Sequence, residues 1–134
     1  MRCLGASIRG SELVLVTVLR TDTEFTVESS TSMKLKLKDS SDRETVRAFY
    51  AAVAGFARNH NIVTMAVRGR QEKGEHAGSP VSFKIEGFLQ VLENCSTTIL
   101  MPTTIKSRVQ KHGLTLPPGA HKYQEDAFFA ACAH

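Results

Sequence analysis

Ile62-Val63-Thr64-Met65-Ala66-Val67 is an apolar run interrupted only by a threonine, and it passes directly into Arg68-Gly-Arg-Gln-Glu-Lys-Gly-Glu-His-Ala-Gly78 and then Ser79-Pro80. A strand with one face in water alternates apolar and polar positions. A run without alternation is covered on both faces, which points to a central strand, parallel to a neighbour that is reached through a helical crossover. The run therefore predicts a strand over 62–67, and the polar stretch after it a loop leaving that strand's carboxyl end. Ser79 can cap the helix that follows, with Pro80 at its first position, where the N–H it lacks would have had no partner.

Working back toward the N-terminus, Arg2 to Ile8 and Glu12 to Leu19 are short apolar runs joined by Arg9-Gly10-Ser11, a small-residue turn suited to a tight hairpin. Leu13-Val-Leu-Val-Thr-Val-Leu19 is nearly all apolar and rich in β-branched residues, so it too should be covered on both faces. Phe25-Thr26-Val27 extends an edge. Met33-Lys-Leu-Lys-Leu-Lys38 alternates strictly, with Met33, Leu35 and Leu37 on one face and Lys34, Lys36 and Lys38 on the other. A solvated strand face that discourages edge association explains those lysines better than a nucleic-acid surface does. Ser41-Asp-Arg-Glu44 reads as a capping box. Val46, Phe49, Tyr50, Val53 and Phe56 or Ala57 then recur at helical spacing, and Asn59-His60-Asn61 ends the helix.

Beyond Pro80, Val81, Ile85, Phe88, Leu89 and Leu92 make a second buried stripe, while Ser82, Glu86 and Glu93 share another face. Gly87 inside this helix costs ~1 kcal/mol relative to alanine, which marks a close backbone approach, and the helix should stop near Asn94. Thr97 to Met101 is a strand closed by Pro102. Thr103 or Thr104 caps a short helix through Gln110, ended by His112-Gly113. Leu114 to Gly119 is an extended connection, and a final helix over 121–133 carries Tyr123, Ala127, Phe128 and Ala131 toward the core.

The chain of 134 residues fits a single domain spanning 1–134. Its net charge of +4 permits a nucleic-acid or phosphorylated partner but falls well short of the dense Lys/Arg clusters that would demand one. Cys3, Cys95 and Cys132 are far apart, without zinc-ligand spacing, as expected of reduced thiols. No apolar run approaches the ~18 residues that span a bilayer, so the expected location is the cytoplasm. No internal repeat or low-complexity segment is present.

The elements assemble as strand-strand-strand-helix-strand-helix-strand-helix with a C-terminal helix. The expected fold class is α/β, a mixed five-stranded sheet with three antiparallel strands first and helices packed on it. That is the order of the ribonuclease H-like fold. Arg70 through Glu86 with Gly87, Met101-Pro-Thr-Thr-Ile105 and Lys122-Tyr-Gln-Glu125 resemble the signature stretches of the bacterial family called domain of unknown function 3010. The resemblance covers essentially the whole chain and implies a ribonuclease H-like fold without an established activity. Active nucleases of that fold class gather acidic residues around divalent metal, one from the first strand and others near the fourth strand and the last helix, because Mg²⁺ takes hard oxygen ligands. The first strand here holds no acid, and Ser7 stands at a place often acidic in relatives.

Glu86, Glu125 and Asp126 are the carboxylates in suitable neighbourhoods, although acids at a helix start are explained well by the helix dipole. The 68–78 loop brings three glycines and several cations to a helix N-terminus, which suits an anion, and it is not a P-loop because no Gly-x-x-x-x-Gly-Lys-Ser/Thr occurs. A solvated connection whose Glu72 and Glu75 offset its cations explains the loop equally well. If a ligand site exists, it should lie where this loop, the start of the Ser79 helix and the start of the final helix meet, at the carboxyl ends of the parallel strands. Arg68, Arg70, Lys73, Lys84, Thr103, Lys122 and Tyr123 are its candidate binding residues. From Asn94 to Gln124 there are four cations, Lys106, Arg108, Lys111 and Lys122, and no acid, so with His112 and His121 this stretch could also meet phosphates or form a solvated face. No serine, cysteine or histidine sits in a nucleophile motif. The expected function is a non-enzymatic binding module for nucleic acid or another phosphate-containing ligand, without a cofactor. The alternatives are a metal-dependent nuclease or phosphotransfer enzyme, which would need Mg²⁺, and an interaction or homodimerising domain.

Overall fold

A two-residue turn starts the fold. Gly10 takes φ +60, a value that only glycine adopts cheaply, so Arg9 pairs with Glu12 and β1 (Arg2–Arg9) returns directly as antiparallel β2 (Glu12–Arg20). The structure, a computed structural model, describes residues 1–70 and 78–134. Its third strand, β3 (Phe25–Lys36), is a single strand of 12 residues rather than the two pieces expected. The pieces are joined through an irregularity: β2 partners step from Met33 opposite Leu15 to Glu28 opposite Thr17. Hydroxyls satisfy the displaced backbone there, since Thr17 Oγ1 donates to the Thr31 carbonyl (2.7 Å) and Thr31 Oγ1 to that of Glu28 (3.1 Å). Such backbone repair by serine and threonine is invisible to a search for alternation.

The sheet order is β3-β2-β1-β4-β5. Both β1/β4 and β4/β5 are parallel, where β4 is Thr64–Arg68 and β5 is Ser96–Leu100. The apolar run quoted first is thus the central strand expected, displaced by two residues. Asn61 turns with φ +54 and the Ile62 N–H returns to the Ala57 carbonyl, so Ile62 closes the preceding helix and Val63 stays exposed.

That helix, α1 (Arg43–Asn59), buries Phe49, Val53, Phe56 and Ala57 as its stripe requires. Its cap is Asp42, whose Oδ2 accepts from the Thr45 N–H at 2.9 Å. The Ser41–Glu44 capping box does not form, because Ser41 Oγ donates instead to Asp39 Oδ1 (2.7 Å) and a carboxylate takes the cap. The next helix, α2 (Pro80–Gln90), starts on Ser79 with Pro80 in its first turn, as expected. Ser82, expected on a face apart from the buried stripe, is wholly buried, its hydroxyl donating to the Ser79 carbonyl (2.7 Å). The helix ends at Gln90, before Asn94, which turns with φ +59. Gly87 marks no close approach: a Cβ added there would meet nothing within 4 Å. In α3 (Pro102–His112), Met101 holds the cap position without a side-chain bond and Pro102 fills the first turn, so Thr103 and Thr104 are inside the helix rather than capping it. Gly113 closes that helix with φ +61.

A 3-10 turn, Lys122–Gln124, leads into α4 (Glu125–Ala133), and Gln124 fixes the turn by accepting the His121 N–H at 2.9 Å. Gln124 is buried. Tyr123, expected in the core, is 43% exposed. The sheet is covered on both sides. Leu4, Ile8, Leu13, Leu15, Met65 and Val67 pack against α1 and α2. Val14, Val16, Val18 and Ala66 pack against α4, whose contribution is mostly alanine. There a Cβ on Gly5 would lie 1.8 Å from the Ala127 carbonyl oxygen, so the α4 backbone rests almost directly on β1.

Candidate functional site

Parallel strands β1 and β4 end side by side, and from that point β1 connects toward β2 while β4 connects through α2 toward β5. Diverging connections leave a crevice at the carboxyl ends of such strands, the usual ligand position in open α/β sheets. Here the crevice is a cavity of about 280 Å³ lined by Ser7, Ile8 and Arg9 of β1, Glu12 and Val14 of β2, Arg68 at the end of β4 and Arg70 just after it, and Tyr123 and Asp126 from the final helical segment. The tight Gly5–α4 contact brings Asp126 to this edge, since it precedes Ala127 directly.

The two arginines at the carboxyl end of β4 differ in kind. Arg70 is a structural tie: its Nη1 donates to the Ile8 carbonyl, and its backbone N–H donates to Glu86 Oε2 at 3.0 Å. Burial, and then neighbouring Arg68, push its guanidinium pKa below the ordinary value, while Glu86 and Asp126 pull it back up. Its Nε is buried with no partner among the described residues. Arg68 and Arg9 also line the cavity, and neither side chain makes a hydrogen bond or ion pair among the described residues. Glu12 is drawn toward Lys34, at 3.7 Å.

The cavity thus gathers four of the residues anticipated as a site, Arg68, Arg70, Tyr123 and Asp126, and Glu86 reaches it through the Arg70 backbone. Others are elsewhere. Lys84 Nζ donates to the Ser40 carbonyl (2.6 Å), on the side of α2 facing the α1 entrance. Thr103 is exposed in the first turn of α3 and lines none of this cavity, while Lys122 and Glu125 pair with each other at 2.8 Å. Lys73 and His76 lie outside the described residues. The basic stretch after Asn94 is dispersed: Arg108 donates to the Ala133 carbonyl, and His112 shares a different cavity with Arg20 at the opposite edge of the sheet. Arg9 was not anticipated as a site residue, and Lys34, expected on a solvated strand face, reaches Glu12 of this cavity. Arg9 could have been found from the hairpin, because a two-residue turn leaves it at the end of a strand parallel to β4.

The sequence profile of the family described as protein of unknown function (DUF3010) matches residues 1–134. The chain belongs to that family. No curated protein matches the sequence. Among solved structures, the DUF3010 chain is similar to Thermus thermophilus RuvC, with TM-score 0.77 at 14% identity over 100% of this chain and 93% of that one. It is also similar to T. thermophilus RuvC in complex with a Holliday junction substrate, with TM-score 0.73 at 16% identity over 100% and 92%. A third match is Fowlpox virus resolvase with substrate Holliday junction DNA, with TM-score 0.52 at 12% identity over 98% and 92%. Likeness at these identities establishes a shared ribonuclease H-like fold and carries no activity with it.

The cavity carries Ser7 on β1, Arg68 at the end of β4 and Arg70 just after it, with Glu12 of β2 and Asp126 of α4 as its carboxylates. A hard cation needs several anionic oxygens, whereas here Arg9, Arg68 and Arg70 line the cavity, Glu12 is drawn toward Lys34 and Glu86 is bonded to the Arg70 backbone. Among the described residues no group of three or more His, Cys, Asp or Glu side chains could hold a metal ion. The described residues do not fit a divalent-metal centre.

Proposed function

We propose that the chain is a non-enzymatic module that binds nucleic acid, or a ligand presenting the same phosphate chemistry, in the cavity where β1 and β4 end. The observation that carries this reading is the pair Arg9 and Arg68, which line that cavity and whose side chains have no hydrogen-bond partner among the described residues. A planar guanidinium matches a phosphate with two parallel N–H donors. Arg70 holds the neighbouring backbone in place, so the site is preorganised at little further entropic cost. Two proteins that share the fold were solved with Holliday junction DNA, which favours a polynucleotide over a small phosphate.

The competing reading, a metal-dependent nuclease, draws on the same fold likeness. It asks for a cluster of carboxylates, whereas the first strand offers the hydroxyl of Ser7 and the cavity is lined by three arginines beside Glu12 and Asp126. A cleavage and binding assay separates the two. Single-stranded, duplex and branched DNA should bind in EDTA and remain intact with Mg²⁺ or Mn²⁺. Metal-dependent turnover that is lost in Glu86→Gln or Asp126→Asn would overturn the proposal.

A further inference from the structure

Tyr123 belongs to two cavities at once. Besides the arginine cavity it lines a cleft of about 530 Å³ between the β3 strand (Ser29, Ser32, Lys34) and the segment from Pro117 to Gln124. Its ring lies parallel to the His121 imidazole, 5.3 Å between centroids and 9° between planes, and Lys34 Nζ stands 4.5 Å from the ring centroid. The ring is not what holds its own turn. The turn is held by the buried Gln124 side chain, and Tyr123 is 43% exposed. A large aromatic side chain left half in water, paired with a second ring and a cation, beside arginines whose side chains have no partner among the described residues, has the makings of a stacking platform next to a phosphate site.

From this arrangement we infer that the cleft beside Tyr123 receives an unpaired nucleobase whose backbone phosphate sits on Arg68, so that the ligand class is single-stranded nucleic acid. This rests on the phosphate-binding reading above and adds the strand form to it. A base in a duplex is already stacked and paired, and only an unpaired one offers its face to a side chain. The cleft falls within the roughly 300–1,000 Å³ typical of small-molecule pockets, ample for one base. Tyr123 bounds both spaces, so a base and its own phosphate can occupy them together.

The test is fluorescence anisotropy with three labelled DNAs of equal length: a short oligothymidine, the same strand made abasic, and a duplex. Wild type should prefer the oligothymidine. Tyr123→Ala should weaken it about tenfold, to the level of the abasic strand, with the salt dependence unchanged, and Tyr123→Phe should restore most of the loss. Equal binding of oligothymidine by wild type and Tyr123→Ala would overturn the base cleft and leave the phosphate site standing. Failure of wild type to bind any of the three would overturn both.

Discussion

The two faces of the sheet are packed by opposite means. On the α1/α2 side, Leu4, Leu13, Leu15 and Met65 interdigitate with Phe49, Val53, Ile85 and Leu89, and the helices stand off the strands by the length of these side chains. On the α4 side, Gly5 and Ala66 face Ala127, Ala130 and Ala131, with Phe128 beside them, and the helix backbone lies where a β-carbon would be. The first arrangement can absorb change by rotamer shifts. The second has no side chains to move, and in return it positions α4 closely over β1. The candidate site lies at the end of this tight face, where Asp126 and Tyr123 meet Ser7, Arg68 and Arg70.

One substitution, glycine to alanine, should have opposite signs on the two sides. Gly5→Ala places a methyl group 1.8 Å from the Ala127 carbonyl oxygen, so α4 must lift. The expected loss is about 3 kcal/mol, typical of a severe overpacking change, read from urea unfolding of the two proteins. An unchanged midpoint would show that the contact between β1 and α4 is not tight. Gly87→Ala, in α2, meets no atom within 4 Å. It removes a helix-interior glycine and should stabilise by about 1 kcal/mol, a rise in Tm of about 4 °C by calorimetry. A destabilised variant would mean that Gly87 has a packing role after all.

The same contrast explains what could be read in the sequence. The α1 stripe, the doubly covered β2 strand and the Ser79-Pro80 helix start are local patterns of large side chains and caps, and the element order follows from them. Gly5 carries no local sign of its role. It looks like any glycine in an apolar run, whereas Gly87 attracted attention because a helix-interior glycine breaks a local rule. The cap moved from Ser41 to Asp42 because two adjacent acceptors competed and Asp39 drew the serine away. In the site, Arg68 and Arg70 were legible as residues leaving the carboxyl end of a buried parallel strand. Lys84 was misplaced because its direction depends on how α2 is rolled on the sheet, and it turned to Ser40. Tyr123 was placed inward by helical spacing, but its turn is 3-10, which rotates the ring outward and buries Gln124.

The central claim is that the end of the tight face binds phosphate through arginine rather than through metal-bound carboxylates. The most direct measurement is the salt dependence of single-stranded DNA binding by wild type and Arg68→Ala, in EDTA. The Arg68 side chain makes no hydrogen bond or ion pair among the described residues, and its β4 backbone pairing with Leu100 survives truncation, so Arg68→Ala should leave the Tm in place while the slope of log K against log salt becomes shallower by about 1. An identical affinity and slope in the variant, or binding by wild type that appears only when Mg²⁺ or Mn²⁺ is added, would contradict the account.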